Sequence, residues 1–179
     1  MRWMWIDRVV ELIPRQKLVA VKNVSLAEEH LHDHFAADPA RGLAALPVMP
    51  TSLILEGMAQ TAGILVGHAE AFREKVILAK INRAEIDRDA TPGTTLRYTA
   101  TVERMDPVGA STKGIVELFD HARPAEGFVQ IGTIELMFSH LDNNQGGAGR
   151  TGESFPEHNF VFGEGFKTLL RTSGIAIPG

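Results

Sequence analysis

The chain has 179 residues, 44% of them hydrophobic and 22% charged, with a formal net charge of -4. That is the range of one globular domain with a sizeable core and a short tail, and it is too apolar for a disordered chain. Lys and Arg are scattered rather than striped along one face, which argues against nucleic acid as a partner. The lack of cysteine excludes disulfides, thiolate nucleophiles and Cys-ligated zinc. Met1 leads into Arg2-Trp3-Met4-Trp5-Ile6-Asp7, too short and too quickly charged for a signal peptide, and no later stretch reaches the roughly 18 apolar residues of a spanning helix. The expected setting is therefore cytoplasmic, with no membrane partner.

In chain order, Lys17 to Val24 (KLVAVKNV) is rich in β-branched residues and predicts a strand, introduced by the turn-like Pro14-Arg15-Gln16. Residues 25 to 47 hold histidines at 30, 32 and 34 and then AADPARGLAALP, which reads as a long loop with room for a short helical turn. From about Ser52 to His68 the chain has no proline and is apolar nearly all round, which predicts a buried helix roughly 25 Å long. The rest is strand-like. Val76 to Ile81 is a short apolar run; Leu96, Tyr98, Ala100 and Val102 alternate with Arg97, Thr99, Thr101 and Glu103; Lys113 to Phe119 and Gly127 to Leu141 follow. One long helix followed by consecutive strands predicts an α+β domain over residues 1 to 141, with an antiparallel sheet wrapping the helix. Residues 142 to 149 read as a flexible linker. The tail beyond is too apolar to stay free, with Phe155, Phe160, Val161, Phe162, Phe166, Leu169 and Leu170, so it is expected to dock on its own subunit or a neighbour.

The residue that asks for an explanation is Glu56, inside the apolar stretch LILEGMAQ. It cannot close a capping box, because counting from Ser52 or Thr51 as the cap puts Leu55 or Ile54 at the third helical position. Apolar surroundings favour the protonated form of a carboxyl group, and a proton held near neutral pH is what a general acid needs. An acid needs a base, and His34 in LHDHFAADP lies just upstream. A metal site on His30, His32 and His34 is the competing use of those rings, but a loop gives the spacing no fixed face, so no metal is expected.

Taken together, H-F-x-x-D-P at 34 to 39, P-V-M-P at 47 to 50 and L-x-L-E-G-M-A-Q at 53 to 60 resemble the signature of the β-hydroxyacyl-ACP dehydratases of the FabZ and FabA type. The resemblance covers about residues 4 to 141. It implies a hotdog fold, an antiparallel sheet wrapped around a long central helix. It also implies a homodimer with shared active sites, a trimer of dimers being left open as the larger assembly. His34 of one subunit and Glu56 of the other would serve one thioester of acyl carrier protein or CoA in fatty acid biosynthesis, with no cofactor. On the same resemblance the thioester would meet Val48 and the backbone amides of Thr51 and Ser52, Gln60 would orient Glu56, and Ile86 stands where the family often has an aromatic gate of the acyl tunnel. Besides Ile86, the chain departs from the family pattern in an insertion of about eight residues, Ala40 to Pro47, in Asp33, Ala37 and Thr51 at positions where the family has glycine, and in Asp87 at a position that is basic in the family. A hotdog acyl thioesterase and a non-catalytic acyl-binding paralogue are the alternative readings.

Overall fold

A computed structural model of the chain describes residues 3–33, 35–141, 159 and 161–177, with 32 and 33 described by their backbone alone. Six strands form one antiparallel sheet: β1 (Arg8–Ile13), β2 (Lys17–Val24), β3 (Val76–Ile86), β4 (Thr94–Asp106), β5 (Gly109–Asp120) and β6 (Phe128–His140). Their order across the sheet is β1-β2-β4-β5-β6-β3, so β1 and β3 are the edges. Among the described residues the helices are α1 (Glu29–Asp33), α2 (Thr51–Ala69) and α3 (Glu164–Thr172). This is the α+β hotdog arrangement, with α2 packed against one face of the sheet.

The alternation in β4 does what the sequence predicts. Leu96, Tyr98 and Ala100 are fully buried against α2, while Arg97, on the other face, forms a two-pronged pair with Glu117 of β5 at 2.7 and 2.6 Å. β2 occupies the predicted residues. β3 runs five residues beyond the apolar run, through Asn82-Arg83-Ala84-Glu85-Ile86, and is largely exposed on both faces. Residues 29 to 33, expected to be loop, form the short helix α1, so the loop reading is corrected there. His30 stacks edge-on against Trp5 at 4.9 Å between ring centroids.

α2 begins after Pro50 with no side-chain cap, consistent with the failed capping-box count. Twelve of its nineteen residues are buried, including Ile54, Met58, Ile64, Leu65 and Val66. Gly57 sets how closely the helix sits on the sheet. A Cβ there would fall 2.6 Å from the ring and hydroxyl of Tyr98 and 2.9 Å from the carbonyl oxygen of Trp5. Burial also pushes the Tyr98 hydroxyl far above its ordinary pKa, so it stays neutral in the core.

The described part of the tail docks on its own chain. Phe162, Phe166, Leu169 and Leu170 belong to the same core cluster as α2 and the sheet. The expected linker at 142 to 149, together with Phe155 and Phe160, lies outside the described residues.

Because Tyr98 and a backbone carbonyl both stand where a methyl group would go, neither can yield cheaply. Gly57→Ala is expected to destabilise the fold by about 1–3 kcal/mol through overpacking. Denaturant unfolding checks this; an unchanged midpoint would mean that the helix is free to ride higher on the sheet.

Candidate active site

α2 carries a polar stripe within its apolar surface. Ser52, Glu56 and Gln60 are spaced four residues apart and so share one face. Glu56 is half-buried, whereas Gln60 is only 5% exposed. Every polar atom of the Gln60 amide is committed. Its Nε2 donates to Glu56 Oε1 at 3.0 Å and to the carbonyl oxygen of Trp3 at 2.8 Å, and its Oε1 accepts from the backbone N–H of Trp5 at 2.9 Å. One side chain thus ties the N-terminal segment to the helix and holds one oxygen of the carboxyl in a set direction. The sequence pattern suggested little polarity around Glu56, and Gln60 supplies it, from one turn further along.

Glu56 stands at a cavity of about 220 Å³ that is mostly apolar. Gln60 shares its α2 wall, Phe138 of β6 and the first residues of β3 form a second, and Val161, Phe162 and Phe166 of the C-terminal segment form a third. The contribution of the C-terminal segment was not expected from the motifs. Its only sequence signal is the crowding of phenylalanines in a tail.

The remaining described site residues lie at or near the start of α2, a turn or more before Glu56. Val48 is buried just before the helix, and Thr51 and Ser52 open it; as first-turn residues their N–H groups have no acceptor within the helix and sit at its positive end. The neighbouring Met49 N–H donates to the carbonyl oxygen of Ala90 at 2.8 Å, which pins this end of α2 to the connection after β3. Ile86 closes β3 at that same end, eight residues or roughly 26 Å along the strand from Leu78. Within one chain, then, Glu56 and Gln60 share a cavity with Leu78, and Val48, Thr51, Ser52 and Ile86 do not line it. His34 lies outside the described residues. The inserted loop folds on itself, with Asp38 and Leu43 exchanging two backbone hydrogen bonds at 3.0 and 2.9 Å and Leu46 N–H reaching the Phe35 carbonyl at 2.9 Å. Among its described residues none lines the cavity beside Glu56. Among the described residues, too, no group of three His, Asp or Glu is gathered closely enough to hold a metal ion, and no helix is long and apolar enough to cross a membrane.

A carboxyl directed into an apolar cleft from a hotdog helix can deliver or receive a proton at a bound acyl group. The model of the FabA-like domain matches residues 2–120. The chain belongs to the FabA-like family. It is 38% identical to the 3-hydroxyacyl-acyl-carrier-protein dehydratase FabZ of Myxococcus xanthus, over 68% of this chain and 76% of that protein. The FabZ of Clostridium kluyveri (strain ATCC 8527) is 32% identical over 78% of this chain and 86% of its own. Among solved structures, the dehydratase heterocomplex ApeI:P of Xenorhabdus doucetiae superposes with a TM-score of 0.57 at 15% identity, covering 81% of this chain and 91% of that one. Zebra fish thioesterase superfamily member 2 gives 0.52 at 14% identity over 74% and 79%. Likeness at these identities speaks for the hotdog fold alone.

Gln60→Leu keeps the volume of the side chain but strands the Trp5 N–H in a buried position and frees the Glu56 carboxyl. A loss of about 1–3 kcal/mol in unfolding free energy is expected from the unpaired donor. An unchanged stability would mean that Trp3 and Trp5 are not held by this amide.

Proposed function

We propose that this chain is a (3R)-hydroxyacyl thioester dehydratase, eliminating water to give the trans-2-enoyl thioester in cytoplasmic fatty acid biosynthesis. Its substrates are acyl chains carried on acyl carrier protein or CoA. The observation that carries this reading is the Glu56 carboxyl, held by Gln60 at an apolar cavity on the central helix of a FabA-like chain.

The thioester carbonyl acidifies the proton on the α-carbon, and His34 takes that proton. The electron pair of the broken Cα–H bond forms the double bond as the Cβ–O bond breaks, and Glu56 protonates the leaving hydroxyl so that it departs as water. Negative charge that builds on the carbonyl oxygen is met by the N–H groups of Thr51 and Ser52 at the positive end of α2. Val48 and Ile86 flank the thioester at that end. Elimination beside a thioester needs no cofactor.

Two copies complete the site. β3 is an edge strand whose outer backbone groups have no neighbouring strand among the described residues, and Leu78 and Ile81 on it, with Met137 on β6, are large apolar residues left exposed. An edge of this kind is covered in stable proteins, and antiparallel pairing of β3 with a second copy about a twofold axis covers it. Such pairing sets the Leu78 end of one protomer against the Ile86 end of the other, bringing Glu56 of one chain toward Thr51 and Ser52 of its partner.

Glu56→Gln keeps the size and the hydrogen bond to Gln60 but removes the proton donor. Hydration of a crotonyl thioester is expected to fall by about 10²–10⁴-fold with the fold intact, and full turnover would end the proposal. Supplying a 3-hydroxyacyl thioester to the unaltered protein separates the thioesterase reading, which yields free thiol where the dehydratase yields enoyl product.

A further inference from the structure

The family match ends at residue 120, whereas the cavity beside Glu56 is finished by residues beyond 160. We propose that Phe162 and Phe166 of the C-terminal segment are specificity-determining residues that set the acyl-length limit of the cavity. This rests on the reading of that cavity as the acyl site.

The geometry along α2 carries the argument. Glu56, Gln60 and Gly63 line the cavity in succession, and the next residue on this side of the helix, Gly67, is covered by the Phe162 ring so closely that a Cβ there would collide with it. Gly67 lies eleven residues past Glu56, or roughly 16 Å along the helix axis. An acyl chain that starts at Glu56 and follows the helix therefore meets the Phe162 ring as an end wall. Phe162 makes edge-to-face contacts with both Phe166, at 5.8 Å, and Phe72, at 4.8 Å between ring centroids, which limits the freedom of the ring to swing away. Both phenylalanines are buried, at 6% and 5% exposure.

The segment is anchored as a wall and not merely laid on the surface. Asn159 Nδ2 donates to the carbonyl oxygens of Phe72 and Glu74, both at 2.9 Å, while its Oδ1 accepts from the N–H groups of Val161 and Phe162 at 3.0 and 3.4 Å. At the far end of α3 the Ser173 hydroxyl accepts from the Val9 N–H of β1 at 3.0 Å. The two clamps span the helix and leave Phe162 and Phe166 fixed between them. The end they close is apolar: beside it His68 stacks edge-on against Phe72 at 5.9 Å, and burial lowers the pKa of its imidazole, which keeps that ring neutral at neutral pH. An end wall of this kind favours a hydrocarbon terminus of limited length.

The test is a binding series of saturated alkyl thioethers of pantetheine, from butyl to hexadecyl, measured by calorimetry on the full-length protein. These probes lack the hydroxyl and the thioester, so the readout does not depend on turnover. For the unaltered protein, affinity is expected to rise by about fourfold per methylene up to a break, beyond which longer chains gain nothing. Phe162→Ala and Phe166→Ala should move the break to longer chains, and Phe162→Leu, which trims the ring but keeps the core apolar, should do so to a smaller degree if the alanine variants fail to fold. Gly63→Ala, which adds a methyl on the cavity side of α2 facing Phe138 at 3.7 Å, should move it to shorter chains. A break that stays put in folded Phe162 and Phe166 variants, a series with no break, or a protein that binds none of the probes overturns the proposal. A break that moves in a protein without dehydratase activity would leave the acyl-length assignment standing and refute the proposed reaction instead.

Discussion

Everything in this molecule answers to one constraint: α2 is apolar on nearly every side, and a single sheet can cover only one of them. The sheet takes the face of Ile54, Met58 and Leu65, with Gly57 drawn down onto Tyr98. Trp5 and the N-terminal segment cover a second side, and the C-terminal segment with Phe162 a third. A helix enclosed in this way buries a large apolar area, at about 25 cal/mol for each Å² withdrawn from water. It also leaves only one stripe, that of Ser52, Glu56 and Gln60, on which polar chemistry can be mounted.

That stripe is where apolar packing and polar groups meet. A lone carboxyl amid apolar groups would be costly, and the Gln60 amide offsets that cost while spending its other hydrogen bonds on Trp3 and Trp5. The side chain that fixes the Glu56 carboxyl therefore also closes the N-terminal segment over the helix. Stability and the aim of Glu56 are coupled through one side chain, so a change at Trp3 or at Gln60 reaches the Glu56 carboxyl.

How much of this was legible in the sequence depends on which forces act locally. β2 was readable to the residue because its β-branched run is bounded by turn residues, and α2 because its apolar run lacks proline. β1 gives no clean alternation, since a bulge between Val9 and Glu11 breaks its register against β2. β3 was cut short at Ile81 because the strand continues into polar residues; it lies at the sheet edge, where no core face demands apolar ones. α1 was read as loop because five residues, two of them histidines and one a leucine, carry no period that a core imposes. Glu56 and Gln60 were singled out from motif and spacing, and the structure adds the hydrogen bond between them. Phe162 and Phe166 were recognised as apolar groups in need of a partner, but nothing local to a tail says which wall it will form.

The central claim is that the acid and the base of each site come from different copies of the chain. It is tested most directly by mixing two disabled variants, His34→Ala and Glu56→Gln, after denaturation and joint refolding. Each variant alone should be nearly inactive. In the mixture, half of the dimers carry one of each chain, and in those one of the two sites is whole, so about a quarter of wild-type activity should return. A mixture no more active than its separate components would contradict a site shared across the twofold axis.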